Sequence, residues 1–331
     1  MKAIVQDRYG APDVLEFTTV ATPVAGDDEV LVQVCAASVN AYDWHVMRGD
    51  PYLVRVMARE LGGLRGPRKR IRGRDVAGRV VATGGHVTGF GVGDEVFGDL
   101  GGASGAFAEY AAVPAAQLAH KPAGLTFEQA AAVPLAANTA LIALRDVADV
   151  RAGQRVLVNG ASGGVGTFAV QLAKAYGASV TAVCSTRNAE LARELGADEV
   201  VDYRREDFTR TGRRYDVVLD LVANRSLRDL RRALAPTGIL LLSGGGTSEG
   251  GSLVGPLGLV IRAQLAARFA RHRMVVVSEV PSSENLVALR ELIESGRLTP
   301  VIDRTYPLSE TAEAIRYVET EHARAKVVIT M

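Results

Sequence analysis

The sequence predicts an α/β protein in which a mostly antiparallel β region, made from both ends of the chain, surrounds a doubly wound parallel sheet. Three observations support this prediction. Short strands punctuated by glycine and proline fill the chain up to Pro122, strands and helices alternate strictly after it, and the tail returns to a mixed pattern. The 331 residues are enough for two domains of ordinary size.

Composition and charge narrow the class of protein. The chain has 38 Lys and Arg against 37 Asp and Glu, so its overall charge favours neither nucleic acid nor a membrane as a partner. Its two cysteines, Cys35 and Cys184, lie far apart, as is typical of proteins from a reducing compartment. The N-terminal MKAIVQDRYG lacks the apolar core of a signal peptide, and no apolar run approaches the roughly 20 residues of a membrane-spanning helix. We therefore expect a soluble intracellular protein, in the cytoplasm.

The first region is predicted to form a mostly antiparallel sheet or partial barrel, because its strands alternate in polarity and are rich in β-branched residues. Examples are EVLVQVCAASV (residues 29–39), GRVVATG (78–84) and DEVFGDL (94–100).

After Pro122 the pattern changes. Thr126 opens an alanine-rich helical stretch that Pro134 interrupts. The predicted strands RVLVNG, SVTAVC, EVVDY, YDVVLDLV and ILLLSGG then alternate with the predicted helices GTFAVQLAKAYG, NAELARELG and SLRDLRRAL. Such alternation indicates βαβ units and a parallel sheet, here a Rossmann-type domain at about 123–283.

The tail is predicted to rejoin the first domain. It reads as a helix ENLVALRELIESG, a strand in TPVIDRTYPL, a helix SETAEAIRYVE and a final strand KVVITM. The predicted division is therefore 1–122 with 284–331 for the outer domain and 123–283 for the inserted one.

The stretch NGASGGVG lies between a predicted strand and a predicted helix. Gly160, Gly163 and Gly166 give the spacing GxxGxxG, with an additional Gly164. Glycines at such a junction permit a tight turn and the close approach of a pyrophosphate, which the free N–H groups of the helix N-terminus bind. Taken alone, the turn fits a cofactor site and an ordinary strand–helix junction equally well.

The end of the next strand favours one cofactor. A site for NAD usually has an acidic residue there, but this chain continues Ser185-Thr186-Arg187. The guanidinium of Arg187 can pair with a 2′-phosphate and the two hydroxyls can donate to it, so the sequence favours NADPH. The alternative is that Arg187 is a solvated residue at the start of the following helix.

Several motifs in a fixed order carry a family resemblance over essentially the whole chain. They are MKAIVQDRYGAPDVLEF, AASVNAYDW, GRDVAGRVVATG, GDEVFG, GAFAEYAAVP, AAAVPLAANTAL, NGASGGVGTFAVQLAKAYGA, LGADEVVDYRRED and AKVVITM. With them the sequence resembles the zinc-independent medium-chain dehydrogenases/reductases of the quinone oxidoreductase (zeta-crystallin-like) branch. The resemblance implies a GroES-like catalytic domain, a Rossmann domain and an active site in the cleft between them.

The resemblance also implies which residues bind the cofactor. Tyr203 would contact the 2′-phosphate together with Arg187, Thr139 would lie near the nicotinamide, and Ser243 to Gly245 would border it. Alternatively, Tyr203 is a half-buried strand residue and Thr139 a hydroxyl on a helix surface. The full predicted set is Thr139, Ser162, Gly163, Gly164, Val165, Gly166, Ser185, Thr186, Arg187, Tyr203, Ser243, Gly244 and Gly245.

The sequence departs from the zinc alcohol dehydrogenases at the metal ligands. Those enzymes have a His-Glu pair where this chain has Arg74 and Asp75, and a cysteine where it has the stretch from Asn40 to Asp43. The lobe with four close cysteines is missing, and His45 is more readily explained by packing or solvent exposure than by metal binding. We therefore predict hydride chemistry without zinc.

Without a metal, reduction of a conjugated carbonyl or a quinone is easier to support than oxidation of an alcohol. Asn40 is the first candidate for a polar group facing the nicotinamide, unless it only completes a turn. Tyr52 is the second, as a hydrogen-bond donor or proton relay, with aromatic packing or solvent protonation as alternatives. Asp43 is expected to fix the local backbone.

Two basic segments keep other functions open. Residues 55–74 contain eight basic residues and one Glu, and residues 262–273 contain four arginines and no acid. They form either solvated surface or a docking surface for phosphates, a thioester carrier or nucleic acid. An enoyl or enone reductase, or a low-turnover NADPH- and RNA-binding protein, is therefore an alternative to a quinone reductase. Family members often dimerise by pairing edge strands of the Rossmann sheets, which would place ILLLS near a homodimer interface.

Overall fold

The computed structural model describes residues 1–50, 63, 66–244, 272–321 and 323–331. Internal contacts divide the chain into two units, Met1–Asn138 with Val280–Met331, and Thr139–Glu279. One unit is thus inserted into the other along the chain. The domain boundaries from the sequence, at 122/123 and 283/284, stay a prediction.

The regular elements carry the following bounds. The described strands are β1 (Lys2–Gln6), β2 (Leu15–Thr19), β3 (Glu29–Val39), β4 (Asp75–Thr83), β5 (Glu95–Asp99), β6 (Tyr110–Pro114), β7 (Leu118–His120), β8 (Arg155–Asn159), β9 (Ser179–Cys184), β10 (Glu199–Asp202), β11 (Tyr215–Asp220), β12 (Leu234–Leu242), β13 (Arg273–Val276), β14 (Ile302–Pro307) and β15 (Lys326–Thr330). The described α-helices are α1 (Ala41–Arg48), α2 (Phe127–Ala131), α3 (Pro134–Leu141), α4 (Gly164–Ala175), α5 (Ala189–Glu194), α6 (Leu227–Arg232), α7 (Ser283–Glu294) and α8 (Thr311–Thr320).

The first unit is built on a seven-stranded sheet in the order β14-β15-β3-β4-β5-β7, with β6 also paired to β3. Its pairings are antiparallel except that of β14 with β15. The predicted antiparallel region is confirmed, and so is the return of the tail, since β15 pairs with β3. The core of this unit is apolar, with Phe107, Val32 and Ile329 all fully buried.

The second unit contains a six-stranded sheet in the order β10-β9-β8-β11-β12-β13, and all of its pairings are parallel. The strand order reverses beside β8, as in a Rossmann-type sheet, so the predicted fold class is confirmed. The strand that contains ILLLS, β12, is paired on both sides. In the described part of the sheet, β13 lies outside β12, so β12 is not the edge strand there. That ILLLS lies near a homodimer interface stays a prediction.

The alanine-rich stretch after Thr126 is broken where the sequence predicted it. Thr126 caps α2, since its hydroxyl accepts a hydrogen bond from the N–H of Gln129 at 3.2 Å. A second helix, α3, begins at Pro134, a residue that fits the first turn of a helix because its missing N–H is not needed there. Within the described residues, no helix is long and apolar enough to span a membrane.

Candidate functional site

The glycine-rich turn connects β8 to α4 at the carboxyl end of the parallel sheet. Gly160 has a φ of +89°, a conformation that residues with a side chain rarely adopt. A Cβ on Gly166 would lie 2.1 Å from the carbonyl oxygen of Gly160, so no side chain fits there. The N-cap, Gly163, has no side chain that could bond the first N–H groups of the helix. These N–H groups therefore remain open to an anion.

The ends of neighbouring strands bring several predicted residues to this same edge. Asn159 is in register with Val183 on one side and with Asp220 on the other, and Asp220 is in register with Leu242. The turns after β8, β9 and β12 therefore lie together at the carboxyl end of the sheet. They carry the predicted groups Ser162, Gly163, Gly164, Val165, Gly166, Ser185, Thr186, Arg187, Ser243 and Gly244.

The turn after β8 is tied to its neighbour. The side-chain amide of Asn188 donates to the hydroxyl of Ser162 at 2.9 Å, which links the glycine turn to the turn after β9. Ser162, Gly163, Gly164 and Val165 are half-buried, whereas Gly166 is buried. The turn is therefore held in place while its outer face stays accessible.

Asp220, at the end of β11, organises the loops on the other side of the turn. Its Oδ1 accepts hydrogen bonds from the amide of Asn159 at 2.8 Å and from the N–H groups of Val222 and Ala223, each at 3.2 Å. Its Oδ2 is buried and has no hydrogen-bond partner among the described residues. Burial raises the pKa of this carboxyl. The N–H of Ser243 donates to the carbonyl of Asp220 at 3.0 Å, which holds the predicted segment Ser243–Gly244 beside it.

A carboxylate lies beside the end of β9, where the sequence predicted none. Asp202, at the end of the adjacent strand β10, accepts a hydrogen bond from the hydroxyl of Thr186. Thr186 therefore already donates its proton within the chain, and a carboxylate does lie at this position. The sequence interpretation missed it because Asp202 comes from the neighbouring strand.

The charge of Asp202 is largely compensated. Its Oδ1 accepts from the N–H of Arg204 at 3.0 Å, and Arg205 lies 3.6 Å from its Oδ2. These contacts, led by the hydrogen bond from Thr186, lower the pKa of Asp202. Arg187 and Tyr203 are both exposed nearby, and the N–H of Tyr203 donates to the carbonyl of Cys184 at 3.2 Å.

These residues fit a dinucleotide. The turn has no room for a side chain at Gly166, the helix N-terminus is uncapped, and exposed basic side chains follow the second strand. Thr139 is a buried residue of α3 rather than a helix-surface hydroxyl. Of the predicted site residues, Gly245 and Tyr52 lie outside the described residues.

A second polar group of residues lies at one end of the antiparallel sheet. Lys326 on β15 is 2% exposed and lies 3.3 Å from the carboxylate of Asp75, which is fully buried at the start of β4. The ammonium of Lys326 also donates to Oδ1 of Asn40 at 2.5 Å. Ser38 donates to Asp75 at 2.6 Å. We call Lys326, Asp75, Asn40 and Ser38, together with the Arg74–Asp99 pair described below, the buried charge row. In it, the cation Lys326 and the anion Asp75 neutralise each other.

Strand register explains why these residues meet. Ser38 on β3 is opposite Asp75 on β4 and opposite Val328 on β15. Asn40, two residues after Ser38, and Lys326, two residues before Val328, therefore lie at the same end of the sheet. Asp75 in turn is opposite Asp99 on β5. The row continues there, because the guanidinium of Arg74 binds Asp99 through two hydrogen bonds of 2.8 and 2.5 Å. Burial raises the pKa of Asp99 despite this pairing.

Asn40, a predicted catalytic residue, is bound on both sides of its amide. Its Nδ2 donates to Asp75 at 2.9 Å and lies 3.5 Å from the carbonyl of Ser38, while its Oδ1 accepts from Lys326. The amide N–H groups are therefore already directed into the protein. A catalytic role for Asn40 stays a prediction, and in the described geometry the residue connects β3, β4 and β15.

Asp43 fixes the local backbone, as expected. Its carboxylate accepts a hydrogen bond from the N–H of Asn40 at 2.8 Å, which caps α1. His45 on the same helix stacks on Trp44 with ring centroids 3.6 Å apart. Among the described residues, no group of three or more His, Cys, Asp or Glu side chains could hold a metal ion.

Sequence reasoning missed Lys326 and Asp202. Lys326 carries one local signal, since it begins the otherwise apolar strand KVVIT. Burying a lysine costs free energy unless an anion lies beside it. The sequence does not show that this anion is Asp75, which is far away along the chain.

Comparison with known proteins agrees with this architecture. The profile of the alcohol dehydrogenase GroES-like domain family matches residues 26–123, and that of a zinc-binding dehydrogenase family matches residues 195–329.

Proteins similar over nearly the whole chain are oxidoreductases by name. The chain is 35% identical to the mitochondrial NAD(P)H oxidoreductase RTN4IP1 of Homo sapiens, over 100% of this chain and 89% of that protein. It is 35% identical to the chloroplastic NADPH-dependent alkenal/one oxidoreductase of Arabidopsis thaliana, over 99% of this chain and 79% of that protein. The solved quinone oxidoreductase of Coxiella burnetii is 30% identical, with a TM-score of 0.85 over 100% of this chain and 99% of that one.

The buried charge row makes a prediction for stability. Lys326→Met leaves the carboxylate of Asp75 without its cation and should lower the free energy of unfolding by about 3–5 kcal/mol. Arg70→Met removes the exposed pair with Asp7, which should change stability little. Urea denaturation measures both variants. Equal effects of the two substitutions would contradict the assignment of the row as a structural centre.

Asp43 makes a prediction for pH dependence. Burial raises its pKa from 3.8 to about 7, so between these values the folded state keeps a proton that the unfolded state releases. The contribution of Asp43 to stability is therefore greatest at acid pH and is lost as the pH rises to about 7. The unfolding free energy of the wild type minus that of Asp43→Asn should therefore decrease from pH 4 to pH 8. The exposed Asp13→Asn serves as control, and a constant difference for Asp43→Asn would refute the assignment.

Proposed function

Because the chain belongs to the medium-chain dehydrogenase/reductase family, in its quinone oxidoreductase branch, we propose that it reduces a quinone or an α,β-unsaturated carbonyl compound with NADPH and without zinc. The observation that carries the proposal is the glycine turn between β8 and α4, where Gly166 excludes any side chain and α4 begins without a side-chain cap. This geometry suits a pyrophosphate.

The preference for NADPH rests on the groups beside the second strand. Arg187 and Tyr203 are exposed there and can bind a 2′-phosphate, one through its guanidinium and the other through its hydroxyl. Asp202 makes NADH the competing cofactor, since a carboxylate at this position can accept from ribose hydroxyls. We favour NADPH because Thr186, Arg204 and Arg205 already engage Asp202.

The choice of substrate rests on the residues that stand where zinc alcohol dehydrogenases have metal ligands. Asp75 is paired with Lys326 and Arg74 with Asp99, and no group of three or more His, Cys, Asp or Glu in the described part of the chain could hold a metal ion. We therefore favour a reaction that needs no Lewis acid to stabilise an alkoxide. Bound NADPH supplies a hydride, which adds to the β-carbon of an enone or to a quinone ring. The chain must then orient the acceptor and offer hydrogen bonds to the oxygen that gains the electron pair.

The names of the relatives indicate two classes of hydride acceptor. The Arabidopsis protein is named for alkenals and enones and the Coxiella protein for quinones. Both acceptors have a carbonyl conjugated to a carbon–carbon double bond, so one site can serve either. An enoyl reductase acting on a thioester or a natural-product intermediate shares the same chemistry.

We also propose a homodimer in a reducing compartment such as the cytoplasm. The described part of the parallel sheet ends in β10 on one side and in β13 on the other, and β13 lies next to β12. We place the strand pairing of a dimer at β13 rather than at β12. Both cysteines, Cys35 and Cys184, are free.

The activity itself is tested by NADPH oxidation against a panel of quinones and enones, with salt-dependent binding to single-stranded RNA measured in parallel. We expect turnover with members of the panel and no tight binding of RNA. Background oxidation across the panel together with tight RNA binding would reject the reductase in favour of an RNA-binding protein.

The cofactor preference is tested by Arg187→Ala. Loss of the charge-assisted pair should weaken NADPH binding about 10- to 100-fold and leave NADH binding nearly unchanged. Arg228→Ala, at an exposed arginine on α6, is the matched control and should change neither. Fluorescence titration of both cofactors provides the dissociation constants. Equal weakening of NADPH and NADH would show that Arg187 does not bind the 2′-phosphate.

A further inference from the structure

Asp220 lies where the order of the parallel strands reverses. It ends β11, in register with Asn159 at the end of β8 and with Leu242 at the end of β12. The reversal falls between β8 and β11, and a Rossmann-type sheet binds a dinucleotide outside the carboxyl ends of the strands at such a point. Asp220 is 1% exposed, so its side chain lies below the protein surface there.

One carboxylate oxygen of Asp220 holds the loop that follows β11. Oδ1 accepts hydrogen bonds from the N–H groups of Val222 and Ala223, each at 3.2 Å, and from the side-chain amide of Asn159 at 2.8 Å. Ala223 has a φ of +58°, a left-handed conformation that alanine rarely adopts. The first two hydrogen bonds therefore hold the loop in a shape that its sequence alone does not favour, and the third fixes it to β8.

This loop contacts both of the segments that carry predicted cofactor groups. A Cβ on Gly160, in the glycine turn, would lie 2.8 Å from Cγ2 of Val222 and 3.3 Å from Cβ of Leu221. A Cβ on Gly244, after β12, would lie 2.4 Å from the carbonyl oxygen of Leu221. Both glycines therefore pack directly against the loop. Its position sets the distance between the glycine turn and Ser243–Gly244.

The two segments are placed to bind different parts of a dinucleotide. In a Rossmann-type domain the adenosine ribose lies at the end of the second strand, here β9, and the pyrophosphate lies at the helix N-terminus. The nicotinamide half then extends across the point of reversal, towards the ends of β11 and β12. NADPH would therefore span both segments. Its fragment 2′,5′-ADP, an adenosine with two phosphates, would reach only the glycine turn.

We propose that Asp220 is a positioning residue for the dinucleotide, whose Oδ1 fixes the loop after β11 and thereby the spacing of the glycine turn and Ser243–Gly244. The inference rests on the proposed function, since it requires NADPH to bind at the glycine turn. A ligand that spans both segments gains affinity when their spacing is fixed in advance. A ligand that contacts only one segment gains little.

The other oxygen indicates that Asp220 acts as a hydrogen-bond acceptor and not through its charge. Oδ2 is buried and has no hydrogen-bond partner among the described residues. Burial raises the pKa of this carboxyl, although the hydrogen bonds to Oδ1 and the charge of Arg225 oppose the rise. The buried site therefore disfavours the negative charge. Asp220→Asn keeps an acceptor oxygen and removes the charge, so it should preserve the loop.

Binding of NADPH and of 2′,5′-ADP to Asp220→Ala and Asp220→Asn tests the proposal, with isothermal titration calorimetry as the measurement. Asp220→Ala removes the acceptor and should weaken NADPH binding about 10- to 100-fold, while the affinity for 2′,5′-ADP changes less than about threefold. Asp220→Asn should stay within about threefold of the wild type for both ligands.

Asp216→Ala is the matched control. Asp216 lies on the same strand, and its carboxylate accepts a hydrogen bond from the N–H of Arg155 on β8 at 2.8 Å, at the opposite end of the sheet. The control thus also removes a carboxylate that links β11 to β8. It should leave the affinities for both ligands unchanged.

Asn159→Ala tests the same link with Asp220 intact. It removes the hydrogen bond from the amide of Asn159 to Oδ1 and should weaken NADPH about 3- to 10-fold, again with 2′,5′-ADP nearly unchanged. Urea denaturation midpoints show which variants are folded. Asn159→Ala therefore decides the question if Asp220→Ala does not fold.

Three results would overturn the role of Asp220. They are equal weakening of NADPH and 2′,5′-ADP in the folded Ala variants, unchanged NADPH binding in those variants, and an Asp220→Asn variant as weak as Asp220→Ala. Any of them in a wild type that binds NADPH defeats this inference alone. A wild type that binds neither ligand defeats the proposed function and this inference with it.

Discussion

The buried ion pair between Lys326 and Asp75 is the interaction on which the first unit depends. It joins the last strand of the chain to β4, and it fixes Asn40, which follows β3. Asp75 also accepts a hydrogen bond from the N–H of Leu135 at 2.9 Å, so α3 is tied to the same point. Removing either charge leaves the other buried without a counter-ion. The pair is therefore a requirement for the fold rather than a small increment to its stability.

Local patterns account for most of the architecture. The alternating polarity of EVLVQVCAASV predicted the antiparallel sheet, and the alternation of strands and helices after Pro122 predicted the parallel sheet, because both are local properties of the sequence. The pairings that shape the candidate site are long-range and had no local signature. Lys326 with Asp75 and Thr186 with Asp202 depend on strand register, which becomes known only when the strands are assembled.

In the proposed reaction, hydride adds to the conjugated carbon and not to the carbonyl carbon. Reduction of an enone with NADPH deuterated at the transferring position of its nicotinamide, followed by NMR of the product, measures this directly. We expect deuterium at the β-carbon and a solvent-derived hydrogen at the α-carbon of a saturated ketone. Deuterium on the carbonyl carbon of an allylic alcohol would contradict it.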